Sequence, residues 1–238
     1  MLVPGDDKKV GDTYTLKFIG DNVVFNATTA VVDVIHELER MAEMARENLN
    51  RAMNALLTLE KDEIDKVFQE EKNIDFLNHA ITDYLVKINQ TTLPLEDLKS
   101  IAALFHVAND IERIGDHAAN IAEDALKRKD EDISLSKKAQ KELSEMLEMV
   151  NSIFSYSVEM FANGKEEHLK DIIRLENEID EKERDLQKAH VSRLTKNKCT
   201  PQAGMIFSDV VSGLERVADH ATNIAFSIHE KDGVKYLD

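Results

Sequence analysis

Hydrophobic positions in this chain recur at three- and four-residue steps over almost its whole length. Val31, Val34, Ile35, Leu38, Met41, Ala42, Ala45, Leu49, Ala52 and Leu56 form one stripe, which predicts a helix from Asn26 to about Leu59. Ile64, Val67, Phe68, Ile74, Leu77, Ile81, Leu85 and Ile88 mark a second helix, from about Lys61 to Gln90. Thr91-Thr92-Leu93-Pro94 is a cap-and-proline start for a third, which runs to about Lys127. The charged stretch Arg128-Lys129-Asp130-Glu131-Asp132 reads as a solvated boundary. Ser134 or Ser136 caps a fourth helix reaching about Ala162, and Asn163-Gly164 closes it. A fifth spans about Lys165 to Lys196, and Thr200-Pro201 opens a sixth that ends near His229. Ahead of them, Tyr14, Leu16 and Phe18 alternate with Thr15 and Lys17, a period of two that predicts a short extended arm.

The pattern is therefore all-α, with connections short enough to make neighbouring helices antiparallel. A repeated phrase divides it. Glu112-Arg113-Ile114-Gly115-Asp116-His117-Ala118-Ala119-Asn120-Ile121-Ala122 returns as Glu215-Arg216-Val217-Ala218-Asp219-His220-Ala221-Thr222-Asn223-Ile224-Ala225, with eight of eleven positions identical. Duplication is the economical explanation. The expected organisation is an arm or linker over residues 1–25, a three-helix bundle over 26–131 and a second over 132–238.

Composition narrows the function. The formal net charge is −16, and no Lys/Arg cluster longer than Lys127-Arg128-Lys129 interrupts it along the chain. Such a field repels phosphate backbones and anionic lipid, so nucleic acid and direct membrane docking are not expected. No apolar run is long enough to cross a bilayer, so direct membrane insertion is not expected either. With Cys199 as the only cysteine, no intrachain disulfide can form, which fits a reducing compartment. No Walker loop, nucleophile elbow, His-Glu-x-x-His or Cys-x-x-Cys is present.

The acids of the repeated phrase carry the candidate chemistry. Residues four apart on a helix lie on one face, so Glu112 stacks over Asp116 and Glu215 over Asp219. Asn120 and Glu123 continue the first face. Asn223 continues the second, but Phe226 stands where Glu123 has its match, so the two sites are not equivalent. The preceding helices carry the same spacing in Glu71/Asp75 and Glu176/Asp180. If the helices are antiparallel neighbours, these pairs face one another. Two carboxylates about 6 Å apart repel by roughly 3 kcal/mol at an effective dielectric near 20, so four together need protons or a cation. A box of carboxylates suits Fe, Mn, Mg or Zn. The Glu-x-x-His of oxygen-activating di-iron bundles is missing before all eight histidines. His117 and His220 lie about 100° from the acids and are expected at an interface or just behind the ligands, with direct ligation the alternative. His79, four beyond Asp75, is a candidate local ligand, although helix five has Arg184 four beyond Asp180, with Glu183 beside it. Glu39 and Glu43 read as a solvated pair.

Taken together, two three-helix units, each ending in Glu-Arg-Ile/Val-x-Asp-His-Ala-x-Asn-Ile-Ala with an acidic pair on the helix before, resemble the PhoU family over roughly Asn26 to Glu230. The resemblance implies paired three-helix bundles whose acidic motifs bind metal ions. Those motifs match Glu71, Asp75, Glu112, Asp116, Glu176, Asp180, Glu215 and Asp219 here. It also implies a regulator of phosphate uptake and signalling, partnered by a membrane phosphate transporter and a sensor kinase. Such a protein sits in the cytoplasm, reaches the membrane through its transporter, and has a homodimer among its expected assemblies. Leu16-Lys17-Phe18-Ile19-Gly20-Asp21 followed by Ala27-Thr28-Thr29-Ala30-Val31-Val32 is similar to the join in Na⁺/phosphate cotransporters that carry a PhoU-like cytoplasmic domain. Two alternatives stay open on the residues alone. One is a metal-dependent phosphohydrolase using the carboxylate boxes. The other is a helical adaptor in which the motifs only orient helices.

Overall fold

The computed structural model describes residues 14–20, 27–90 and 95–230. Six helices account for almost all of them: α1 (Ala27–Thr58), α2 (Lys61–Asn89), α3 (Leu95–Asp130), α4 (Lys137–Asn163), α5 (Leu169–Thr195) and α6 (Pro201–Glu230). The fold is all-α, three helices followed by three. Helices α1, α2 and α3 pack on one another, as do α4, α5 and α6, and the halves meet where α3 lies on α6 and α1 on α4. None of the helices is long and apolar enough to cross a membrane, among the described residues. Residues 1–13 and 21–26 of the expected arm and join, and the Thr91–Pro94 start signal, lie outside the described residues.

Each stripe read from the sequence becomes core. Leu38, Leu49 and Met53 of α1, Ile74 and Leu77 of α2, and Ile114 of α3 are buried together, as are Leu143, Phe154, Ile172, Ile179, Val210 and Leu214 in the other half. Truncating one such aliphatic side chain to alanine costs about 2–5 kcal/mol. Between the halves, Asn50 and Asn151 exchange two amide hydrogen bonds of 3.1 and 2.8 Å, joining α1 to α4.

The helix ends follow local chemistry. Ser136, not Ser134, caps α4, its hydroxyl accepting from the Ala139 amide at 3.2 Å. Gly164 ends α4 in the left-handed conformation (φ 63°), as the Asn-Gly signal predicts. Thr200 accepts from the Ala203 amide at 3.1 Å and Pro201 opens α6. Helix α5 begins at Leu169, four residues later than the sequence predicts. The chain needs those residues to reverse after Gly164, and His168 is held across the turn by stacking on Tyr156 (4.4 Å) and pairing with Glu159 (3.1 Å).

Two expectations change. The boundary stretch is not all solvated: Arg128 is buried and donates to the carbonyls of Leu56 and Ile133, so it satisfies the C-terminal end of α1. The arm alternates only as far as Lys17. Its Lys17 and Phe18 amides both donate to one oxygen of Glu37 (2.9 and 2.8 Å), which bends the chain there. Ile19 rather than Phe18 then enters the core, leaving Phe18 46% exposed.

Candidate metal centre

The acidic pairs sit on α2 and α5 and on the helices packed against them, α3 and α6. Gly115, between Glu112 and Asp116, faces Ile74, between Glu71 and Asp75. A methyl group on Gly115 would lie 3.2 Å from the Ile74 side chain. That close approach sets the carboxylates of α2 beside those of α3. In the other half, Ile179 lies between Glu176 and Asp180, and buried Ala218 between Glu215 and Asp219.

The structure brings the four acids of each half into one electrostatic neighbourhood. In the first half, burial pushes the Glu71 carboxyl up, and Asp75 and Asp116 push it further. Glu112 is raised by burial and then by Asp116, against the opposing pull of Arg113. One Glu112 oxygen is buried without a hydrogen-bond partner. In the second half, burial raises Glu176, with Asp180 and Asp219 adding to it. Glu215 is pushed up to about 7 by burial, then by Asp219, Glu183 and Asp180. Asp219 is raised by burial and by Asp180. The same residues that destabilise one another's charges are the residues a cation would neutralise.

The halves differ in how far this has gone. Asp180, Glu215 and Asp219 each offer a ligand atom, and these atoms all lie within 4.8 Å of one another. In the first half the chain's own cations intervene. Arg113 donates to Asp116 at 3.0 Å and lies 3.7 Å from Glu112. The His79 ring nitrogen meets the Asp75 carbonyl at 2.9 Å and its carboxylate at 3.1 Å, and the backbone bond first, then the carboxylate charge, raise the imidazole pKa. His79 is thus a partner of Asp75 on an exposed helix face. Around the second set, Arg184 stands 3.8 Å from Asp180, and Arg216 forms no ion pair among the described residues.

Some participants were not picked out from the sequence. Glu183 adds its charge to the Glu215 set and is oriented by the Ser212 hydroxyl, which donates to it at 3.2 Å while accepting from Gln187 at 3.3 Å. Asp110, two residues before the phrase, accepts from the His220 ring at 2.8 Å across the seam between halves. Its match in the repeat is Gly213, so duplication carried no signal for it. His117 and His220 do lie at an interface, their rings 5.8 Å apart between α3 and α6. Burial, with His220 and Arg216 nearby, lowers His117 to about 4. Glu43 pairs with Arg46, so that acid is a surface group as expected.

An all-carboxylate donor set suits hard and borderline cations, and the second set has the spacing to hold one. Similar proteins carry the same architecture. The chain aligns with the phosphate-specific transport system accessory protein PhoU homolog 1 of Thermotoga maritima at 29% identity over 192 residues, 79% of this chain and 81% of that protein. It aligns with the PhoU homolog of Clostridium acetobutylicum at 25% identity, covering 80% of this chain and 87% of that one. In fold it is similar to the crystal structure of PhoU from Pseudomonas aeruginosa (TM-score 0.81, 22% identity, 87% of this chain and 99% of that one). The phosphate transport system regulatory protein PhoU from Streptococcus pneumoniae has TM-score 0.79 at 19% identity, over 89% and 99% of the two chains. The PhoU domain profile matches twice, over residues 38–125 and 143–228, one match in each half. With well over half of its residues inside those two matches, the chain belongs to the PhoU family.

Proposed function

We propose that this chain is a metal-binding accessory regulator of phosphate uptake that acts by contact with a membrane phosphate transporter. Its relatives are named as accessory proteins of phosphate-specific transport, which supports the setting. The observation that carries the metal is the Asp180, Glu215 and Asp219 set, three carboxylates from α5 and α6 with ligand atoms within 4.8 Å. A cation bound there would cancel their repulsion and tie the two helices together. Fe, Mn, Zn and Mg all accept such donors, and the Glu71, Asp75, Glu112 and Asp116 set would take a second ion once Arg113 swings away. The role is better supported as contact than as hydrolysis. The relatives' names speak for contact, and in the first half the cation a phosphohydrolase would need as a phosphoryl clamp is engaged, Arg113 being turned onto Glu112 and Asp116.

Equilibrium dialysis against each metal, followed by elemental analysis, tests the reading. Wild-type protein retains metal, and a variant with Asp180, Glu215 and Asp219 all changed to alanine loses the second-half portion. Equal metal in both would overturn it. In cells lacking the gene, wild type restores control of phosphate uptake and the variant does not.

A further inference from the structure

Away from the run Lys127-Arg128-Lys129, folding assembles a cationic pocket from residues far apart in the chain. The arm residues 14–17 lie along the groove between α1 and α2 and border an open cleft of about 470 Å³. Its wall carries Lys17 from the arm, Arg40 and Arg51 from α1 and Lys66 from α2, against the single lining carboxylate of Glu70. In a chain of net charge −16 this is a local reversal of sign. A second cavity, in the groove between α1 and α4, shows the ordinary balance, with Glu39, Glu43 and Glu159 against Arg46.

The pocket's cations are only partly neutralised from behind. Glu63 serves two of them, at 2.6 Å from Lys66 and 3.6 Å from Arg51. Arg40 binds buried Glu37 through one edge of its guanidinium, but the Nη1 corner has only the Met44 sulfur, at 3.4 Å, a weak acceptor for a charged donor. Lys17 has no carboxylate partner among the described residues. Tyr14 and Asn73 add neutral hydrogen-bonding groups to the lining. A guanidinium corner and a free ammonium facing one volume fit the oxygens of a phosphoryl group. The volume exceeds that of phosphate alone and is in the range that holds small metabolites.

We propose that this pocket binds a small molecule through its phosphoryl group, and that the bound anion clamps the arm onto α1 and α2. The coupling follows from placement, because Lys17 belongs to the arm while Arg40, Arg51 and Lys66 belong to the helices. The proposal does not depend on the metal centre, since these residues are different and every measurement can be made in chelator.

Calorimetric titration of the full chain in EDTA at low salt, with AMP, glucose 6-phosphate, inorganic phosphate and citrate as probes, tests it. We expect saturable 1:1 binding of a phosphate ester, with citrate weaker by about tenfold or more. Lys17→Glu and Arg51→Glu each weaken binding by at least about tenfold while the circular dichroism spectrum is unchanged. The ligand also slows tryptic cleavage after Lys17. Tighter binding of inorganic phosphate than of either ester keeps the phosphoryl site and assigns it to free phosphate. The proposal is overturned by no saturable binding of any phosphate at millimolar concentration, by citrate matching the phosphates, or by folded charge-reversal variants that bind as wild type does. Lys17→Gln provides the same comparison if the reversal displaces the arm.

Discussion

Changing Glu215 to glutamine in metal-free protein should stabilise it, in a pH-dependent way. The folded chain holds the Glu215 proton up to about 7, whereas its ordinary value is 4.5. Between those values the folded state binds more protons than the unfolded chain. The carboxyl group is therefore harmless below about pH 4.5 and costs stability as the pH rises towards 7. At about 1.4 kcal/mol per pKa unit the ceiling is roughly 3 kcal/mol. Partial exposure and solvent screening reduce this to about 1–2 kcal/mol. Glutamine has no proton to lose and keeps the shape. In EDTA at pH 8 the variant should melt about 2–6 °C above wild type, and at pH 4.5 the two should coincide. Differential scanning calorimetry across that range reads both. Metal-loaded protein should show the opposite order, because the variant lacks a ligand. Coincident melting at every pH in chelator would mean that these carboxylates do not press on one another, and the reasoning fails.

Other substitutions probe the scaffold. Gly204→Ala sets a methyl group 2.3 Å from the His190 ring, which is itself buried, and should cost about 1–3 kcal/mol by urea unfolding. Gly115→Ala meets Ile74 at 3.2 Å and gains about 1 kcal/mol of helix propensity, so it should be near neutral in the same assay. Glu37→Ala removes the acceptor of two arm amides and the partner of Arg40, and should cost about 3 kcal/mol. Hydrogen exchange at Lys17 and Phe18 should then rise to unprotected rates, and retained protection would show that something else holds the arm. The His117 ring in chelated protein should titrate by NMR near 4. Because that value is depressed, its contribution to stability is lost as the pH falls below 6.5, and a midpoint near 6.5 would place the ring in solvent.

The sequence made the helices and their acids legible because both obey a period. The α1 and α2 stripes became core almost residue for residue, and the recurring four-residue spacing picked out eight of the acids that the fold gathers, though not Glu183. What it could not show depends on contacts across long separations. Arg128 belongs to a charged run, but its burial is decided by the Leu56 carbonyl, 72 residues away. Asp110 meets His220 only because α3 lies on α6, and Gly213 hides it from the repeat. Phe18 and Ile19 exchange places because the Glu37 carboxylate captures two successive amides. The cations of the arm pocket lie far apart along the chain and form no motif until α1, α2 and the arm come together. The inequality of the two acidic sets is likewise a matter of side-chain pairing, with Arg113 and His79 at 3.0 and 3.1 Å from acids of the first set and Arg184 at a looser 3.8 Å from Asp180 in the second.

Anomalous difference maps at the Fe, Mn and Zn edges, from crystals grown with each metal and without chelator, test the shared-cation account most directly. A peak bonded to oxygens of Asp180, Glu215 and Asp219 is the result it predicts. Well-ordered carboxylates with no peak at any edge, their oxygens turned outward to water, would contradict it.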